Sequence, residues 1–156
     1  MNKRLTFRTI GMVLLVESAL MLVPLVVSLI CKSDDSLALL ISALLTACVG
    51  GGFTLLRPRN ENLRAREGFA IVALSWIFVS FFGAVPFVIH GCIPSMVDAF
   101  FEIVSGFTTT GATILTDVES LPKGLLFWRS FTHWMGGMGV LVLTLALLPK
   151  IGARSI

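Results

Sequence analysis

The chain has 156 residues, of which 56% are hydrophobic and 13% charged, with a formal net charge of +3. Soluble domains are about a quarter charged, so this composition and a mean hydropathy of +0.94 exclude an ordinary soluble fold. No basic face with interleaved aromatic residues is present, so the positive charge does not predict a nucleic-acid partner. The charged residues instead cluster between long apolar runs, which predicts helices that span a lipid membrane.

Four apolar runs are each long enough to span a membrane as a helix. At a rise of about 1.5 Å per residue, about 20 residues match a hydrocarbon core of roughly 30 Å. The runs cover residues 10–30, 37–56, 69–89 and 125–148. The predicted fold class is therefore all-α and membrane-integral, with four transmembrane helices.

The positions of lysine and arginine predict how these helices are oriented. Positive residues near the ends of spans are retained on the cytoplasmic side. With alternating spans, one side receives Lys3, Arg4, Arg8, Arg57, Arg59, Arg64, Arg66, Lys150 and Arg154. The other side receives Lys32, Lys123 and Arg129. Both termini are therefore predicted to be cytoplasmic. Cys31 and Cys92 then fall on the outer side, where free thiols are preferred to a disulfide.

The segment after the third run is different, because a short half-apolar stretch precedes a threonine-rich turn and an acidic loop. Ser95 is predicted to be the N-cap of a helix, with Asp98 three residues later in a capping-box position. The helix is predicted to run from Val97 to about Ser105 and to end at Gly106. About nine residues give roughly 13 Å of helix. Such a helix would enter the outer half of a membrane without crossing it.

The polar stretch that follows, residues 107–113, would be unfavourable as lipid-exposed backbone. It must therefore line water or protein. A short helix that enters from outside directs its partially negative C-terminal end toward the membrane centre, where it stabilises a cation. An extended return can then direct successive carbonyl groups at a dehydrated ion, and Gly111 permits a backbone geometry that a side chain resists. The alternative reading is a plain loop between two helices.

Four sequence blocks surround this stretch. Residues 98–102 read DAFFE, 105–113 SGFTTTGAT, 127–130 FWRS and 134–139 WMGGMG. Together they resemble the Trk/Ktr/HKT potassium transporter superfamily, and in particular its TrkH-like branch. The resemblance covers nearly the whole chain, and its specific parts are the filter block and the glycine-rich block. The first two helices resemble the helical pair that precedes the first pore repeat in this branch.

The resemblance implies a repeat of helix, pore loop and helix, four of which surround one pore. Residues 1–66 would form the N-terminal helical pair with its cytoplasmic loop, and residues 67–156 would form one repeat with a re-entrant pore helix. The implied selectivity filter consists of Thr109, Thr110, Gly111, Ala112 and Thr113. These residues take the five places of the TVGYG pattern of potassium channels, of which the family keeps the glycine.

The implied function is potassium uptake across the bacterial cytoplasmic membrane, with potassium as the transported ion. No enzymatic activity, covalent cofactor, metal beyond potassium or nucleic acid is expected. The expected partners are membrane lipid, further pore repeats or copies of this chain, and a cytosolic nucleotide-binding regulatory subunit of the TrkA-like kind. One repeat cannot enclose a pore, so the first portion of a longer transporter is preferred to a homotetramer. A non-conducting membrane scaffold, or a fragment without activity alone, is the competing function.

Six residues outside the filter are candidates for supporting the pore. They are Asp98, Glu102, Arg129, Gly136, Gly137 and Gly139. Asp98 and Glu102 would attract cations to the outer entrance, although Asp98 also suits a helix N-terminus. Arg129 is expected to bind carbonyl groups at the end of the pore helix or to pair with Glu102. The three glycines either let helices pack closely, which is preferred, or permit a bend that gates the pore.

Four other residues allow more than one reading. Glu17 lies near the middle of the first run, where an ionisable side chain is costly and a functional role is the default expectation. In the TrkH-like branch this helix lies outside the pore, so a protonated or helix-paired Glu17 is preferred. Trp128 is expected at the outer membrane interface as an anchoring aromatic. His90 and His133 have no acidic or cysteine partner at metal-ligand spacing.

Overall fold

A computed structural model of the chain describes residues 3–56 and 65–152, with side chains at residues 3–56 and 68–139. The described residues form six α-helices. These are α1 (Lys3–Leu20), α2 (Leu22–Ile30), α3 (Ser36–Thr54), α4 (Ala65–His90), α5 (Met96–Phe107) and α6 (Lys123–Gly152). The all-α prediction is therefore confirmed for this part of the chain.

α1 and α2 form one nearly continuous helix that is interrupted at Met21. Pro24 explains the interruption, because its ring lacks the N–H that would bond to Leu20 O and clashes with that carbonyl. The Met21 N–H still donates to Glu17 O at 2.9 Å. The combined helix has 28 residues, so the first predicted span is present and begins at Lys3 rather than at residue 10.

Three helical segments among the described residues are long and apolar enough to cross a membrane. They are Lys3–Ile30, Ser36–Thr54 and Gly68–His90. The predicted fourth span lies within α6, which is 30 residues long. Several basic residues that determine the predicted orientation lie outside the described residues or have undescribed side chains: Arg57, Arg59, Arg64, Arg66, Lys150 and Arg154. The fourth crossing and the orientation therefore stay predictions.

α1 and α3 pack closely through two facing glycines. A Cβ at Gly11 would lie 2.7 Å from Gly50 O, and a Cβ at Gly50 would lie 2.9 Å from Gly11 O. Small residues permit this approach of two backbones in a membrane protein. Further along the interface, Ser18 Oγ donates to Ala43 O at 2.8 Å. The N-terminal helical pair is thus held together by backbone proximity and a buried hydrogen bond.

The larger apolar core lies between α4, α5 and α6, and residues of α3 close one end of it. Its fully buried members include Phe87, Ile103 and Leu125, with Leu39 contributed by α3. α5 therefore packs between two longer helices along its length. This packing fixes the end of α5, where the threonine-rich loop begins.

Trp128 lies inside this core, so its ring cannot contact the surrounding lipid. Its side chain is 0% exposed, and its indole N–H donates to Gly83 O at 2.9 Å. A buried indole N–H costs free energy unless it finds an acceptor, and here a backbone carbonyl of α4 supplies one. The prediction that Trp128 anchors the outer interface is therefore wrong.

Candidate functional site

α5 begins as the sequence predicts and ends later. Ser95 is its N-cap, and the Ser95 Oγ accepts a hydrogen bond from the Asp98 N–H at 3.4 Å. The helix has 12 residues and ends at Phe107, so the prediction that Gly106 terminates it is wrong. Gly106 remains helical and faces α6, because a Cβ there would lie 2.3 Å from Thr132 Oγ1. Gly106 thus serves helix packing rather than helix termination.

The threonine-rich loop folds back over the C-terminal end of α5. The Thr108 N–H donates to Val104 O at 2.8 Å, and the Thr109 N–H donates to Gly106 O at 2.9 Å. The Thr110 N–H donates to Ser105 O at 3.0 Å. These bonds satisfy carbonyl groups that a helix end otherwise leaves without partners. The first three loop residues are therefore fixed to the end of α5.

Two residues of the loop have a left-handed backbone conformation, Thr109 with φ 57° and Gly111 with φ 76°. In an extended strand successive residues face opposite sides, and residues with positive φ interrupt that alternation. A Cβ at Gly111 would meet nothing within 4 Å. Glycine is therefore favoured at 111 by its backbone conformation and not by lack of space.

The carbonyl groups of the loop differ in whether they have a donor. Ala112 O accepts a hydrogen bond from Ser105 Oγ at 2.6 Å. Among the described residues, no donor reaches the carbonyl groups of Thr109, Thr110 and Gly111. All five predicted filter residues, 109–113, are exposed in this chain. The loop therefore presents three consecutive carbonyl groups that are free to accept an ion.

A buried ion pair holds the far end of the loop. Glu102 of α5 is 0% exposed, and its Oε1 contacts Arg129 Nε of α6 at 2.5 Å. Its Oε2 accepts hydrogen bonds from Thr113 Oγ1 at 3.0 Å and from the Ile114 N–H at 3.2 Å. Of the two partners that the sequence leaves open for Arg129, the structure shows Glu102. Because its oxygens are engaged, Glu102 organises the loop and does not form an exposed cation-attracting charge, unlike the exposed Asp98.

The three candidate glycines of α6 have different surroundings. A Cβ at Gly136 would lie 2.0 Å from Phe107 O, so α6 crosses the end of α5 at this position. A Cβ at Gly137 would meet Thr109 Cγ2 at 3.9 Å, which is ordinary contact, and one at Gly139 would meet nothing within 4 Å. Of these three glycines, only Gly136 packs closely against another described helix.

Two histidines lie within the predicted repeat. His90 Nε2, at the end of α4, lies 3.3 Å from the carboxylate of Asp34. His133 Nδ1 lies 2.9 Å from Arg129 O in the preceding turn of α6. Within the part of the chain that the structure describes, no group of three His, Cys, Asp or Glu side chains could hold a metal ion.

Glu17 is the one described carboxylate whose two oxygens are both buried without a hydrogen-bond partner. Its side chain is 4% exposed and faces α4, where a Cβ at Gly83 would lie 3.1 Å from Glu17 Oε1. The expectation of a helix-paired Glu17 is therefore not met among the described residues. Burial without a partner favours the neutral form of a carboxyl group.

Sequence reasoning missed one functional candidate, Asp35. It occupies the N-cap position of α3, but its side chain makes no cap hydrogen bond to that helix. Its Oδ2 instead accepts a hydrogen bond from the Leu125 N–H at 2.7 Å. No local pattern could indicate this contact, because the two residues are 90 positions apart.

A family of transport proteins matches most of the chain. Residues 36–156 match the family model described as TrkH, cation transport protein. The Trk system potassium uptake protein TrkH of Halomonas elongata is 37% identical over 97% of this chain and 32% of its own length. The Trk system potassium uptake protein TrkG of Escherichia coli is 40% identical over 91% of this chain and 30% of its own length. The chain spans about a third of the length of the curated relatives it matches.

The fold is also found in a solved structure. The crystal structure of the potassium transporter TrkH from Vibrio parahaemolyticus matches with a TM-score of 0.88 at 36% sequence identity. The match covers 100% of this chain and 34% of that chain. Together with the three apolar helices, these similarities identify a multi-pass membrane protein.

Proposed function

This chain belongs to the TrkH family of cation transport proteins, and we propose that it supplies one pore repeat of a potassium transporter. The observation that carries the proposal is the loop after α5. It presents the carbonyl groups of Thr109, Thr110 and Gly111 without donors from the described residues, beside the end of a short helix. The relatives named as potassium uptake proteins support potassium as the transported ion.

The proposed filter consists of Thr109, Thr110, Gly111, Ala112 and Thr113. The first three contribute carbonyl groups to a dehydrated potassium ion, as in other filters of this kind. Ala112 O accepts a hydrogen bond from Ser105 Oγ, which makes this carbonyl group a weaker ligand for the ion. Thr113 holds the loop to Glu102 through its hydroxyl group. Because the pattern keeps the glycine and relaxes the other positions, some passage of sodium is expected.

The proposed membrane arrangement follows the predicted one. Four helices cross the membrane, α5 enters from the outside without crossing, and both termini are cytoplasmic in the bacterial inner membrane. Residues 1–66 form the helical pair with its loop, and residues 67–156 form the pore repeat. In support, α1 and α3 pack on each other through Gly11 and Gly50, whereas α5 packs between α4 and α6.

The proposed partners complete the pore and regulate it. One repeat cannot enclose an ion path, so further repeats or copies of this chain must surround the same axis. The Trk system named in the relatives supports assembly in a membrane complex. A cytosolic nucleotide-binding subunit is the proposed regulator, and membrane lipid covers the remaining apolar surface.

A substitution at Gly111 tests the filter. Gly111→Ser is expected to lower the potassium-to-sodium permeability ratio about tenfold, because a side chain at φ 76° costs about 1–2 kcal/mol and displaces the adjacent carbonyl groups. The ratio is obtained from reversal potentials in the transporter that contains this chain. Gly91→Ser is the matched control, since Gly91 also has a positive φ, 86°, and open space around it, but lies between α4 and α5. If Gly111→Ser and Gly91→Ser give the same permeability ratio, the filter assignment is wrong.

The second candidate function is a non-conducting membrane scaffold, and the observation in its favour is that the described residues hold one short helix and loop of the proposed kind, which cannot enclose a pore alone. Expression in a host that lacks potassium uptake separates the two functions. Growth at low external potassium supports transport. Insertion of the chain into the membrane without such growth supports the scaffold, or a fragment that has no activity alone.

A further inference from the structure

Asp35 lies in the turn between α2 and α3, outside the proposed pore repeat, yet it binds the first turn of α6. Its side chain is 0% exposed. The Asp35 Oδ2 accepts a hydrogen bond from the Leu125 N–H at 2.7 Å, and the Ser28 hydroxyl donates to Oδ1. The first amides of a helix have no partner within the helix, and a carboxylate near them is stabilised by the helix dipole. Asp35 thus caps α6 from a distant part of the chain.

Gly124, the residue before Leu125, has no side chain that would obstruct this contact. A Cβ at Gly124 would lie 2.7 Å from Asp35 Oδ2, 2.7 Å from Ser28 Cβ and 2.9 Å from Leu39 Cδ1. The start of α6 can therefore approach the α2–α3 turn only because residue 124 is glycine. Capping and close approach both fix the position of α6 along its own axis.

The same helix carries the arginine that organises the filter loop. Arg129 follows Leu125 by about one turn of helix, and its Nε contacts Glu102 Oε1. Glu102 Oε2 in turn accepts hydrogen bonds from Thr113 Oγ1 and the Ile114 N–H. A shift of α6 at its start would therefore move the ion pair that holds the end of the loop.

We propose that Asp35 is a positioning residue for the filter, through which the N-terminal helical pair determines where α6 and Arg129 lie. The inference rests on the proposed function, because it assumes that residues 109–113 select the ion. It assigns the helical pair a role in ion selectivity.

The test is the potassium-to-sodium permeability ratio of Asp35→Ala, measured from reversal potentials in the transporter that contains this chain. The ratio is expected to fall about threefold or more, because the Leu125 N–H and the Ser28 hydroxyl lose their acceptor and α6 shifts. Asp35→Asn keeps one amide oxygen for the Leu125 N–H and should give a smaller decrease. Asp34→Ala is the matched control, since Asp34 is adjacent, its side chain is 83% exposed, and its contact is with His90 of α4 and not with α6.

A second pair of variants separates positioning from stability. Gly124→Ala disturbs the same contact from the α6 side, and it should lower the ratio as Asp35→Ala does. Leu14→Ala removes a fully buried apolar side chain from the smaller core, away from α5 and α6. The cavity that it leaves is expected to reduce the amount of folded protein without changing the ratio.

The results of these variants distinguish failure of the positioning role from failure of the filter assignment. If Gly111→Ser changes the ratio but Asp35→Ala and Gly124→Ala do not, the filter assignment stands and the positioning role is overturned. If Asp35→Ala does not reach the membrane, Asp35→Asn and Gly124→Ala decide the question in the same way. If none of these variants, Gly111→Ser included, changes the ratio, the filter assignment itself fails.

Discussion

At the scale of single residues, Glu102 connects three parts of the site. One oxygen contacts Arg129, and the other holds the hydroxyl of Thr113 and the amide of Ile114. A buried ion pair adds little net stability when complete, but removal of one partner leaves an uncompensated charge. The energetic importance of Glu102 therefore appears when one of its partners is removed.

Arg129→Gln is expected to lower the free energy of unfolding by about 3–5 kcal/mol, because the buried Glu102 carboxylate loses its charged partner. Glu102→Gln combined with Arg129→Gln should cost less than the sum of the two single substitutions, since the double variant buries no unpaired charge. Denaturant unfolding of the detergent-solubilised protein measures the free energy of unfolding of each variant. The control is Ser130→Ala, because Ser130 is exposed and its hydroxyl bonds within α6. Additive losses would contradict direct coupling of the pair.

Local residue roles could be predicted from the sequence, whereas long-range ones could not. Ser95 is recognisable as an N-cap because its partner, the Asp98 N–H, lies three residues away. Asp35 looks like a cap for α3, but its acceptor oxygens are used by Ser28 and by Leu125 of α6. The frequency of aromatic residues at membrane interfaces predicts that position for Trp128. Its buried acceptor, Gly83 O, depends instead on how α4 and α6 approach each other.

At the scale of secondary-structure elements, the crossing of α5 and α6 depends on one glycine. Gly136→Ala would place a Cβ 2.0 Å from Phe107 O, so the helices must separate by more than an ordinary contact allows. The expected result is a loss of about 1–3 kcal/mol in unfolding free energy and reduced transport. Thermal unfolding and potassium uptake of the purified, reconstituted transporter measure the two effects.

Gly139→Ala is the matched control for this crossing, because a Cβ at Gly139 meets nothing within 4 Å. It should leave stability unchanged or raise it slightly, since alanine is a better helix former than glycine. If Gly139→Ala impairs transport while stability is kept, a bend at this position gates the pore. That result would favour the gating alternative over packing for the last of the three glycines.

Apolar runs predict which elements exist but not where they end. α1 begins at Lys3, well before the first apolar run, because polar residues can extend a helix beyond the hydrocarbon region. α5 continues through Gly106, since contact of that residue with Thr132 of α6 compensates for the low helix propensity of glycine. Helix ends therefore depend on tertiary contacts that a one-dimensional pattern does not contain.

At the scale of the whole molecule, three junctions between helices meet at one end of the structure. Asp34 in the α2–α3 turn contacts His90 at the end of α4, and Asp35 binds the first turn of α6. Alternating spans predict that these junctions share one side of the membrane, and the contacts confirm that they lie together. Which side is the outer one stays a prediction, since it depends on the distribution of basic residues.

Cysteine labelling from outside the cell tests this orientation. Variants that retain only Cys31 or only Cys92 are both expected to react with a membrane-impermeant thiol reagent, because both lie near the shared end of α2 and α4. Cys31 is exposed, and Cys92 is half-buried with its Sγ 3.6 Å from Phe87 O. A variant that retains only Cys48, in the middle of α3, is the control and should stay unlabelled within the hydrocarbon region.

The pH dependence of labelling distinguishes reaction at Cys92 from reaction at an ordinary thiol. Burial is the main cause that raises the pKa of the Cys92 thiol, and the carboxylates of Asp35 and Asp34 add to it. The thiolate is the reactive form, so a raised pKa leaves less of it at neutral pH. Labelling of Cys92 should therefore require a higher pH than labelling of an ordinary thiol. Labelling of Cys31 and Cys92 only from the cytoplasmic side would reverse the orientation and place α5 and the proposed filter at the inner entrance.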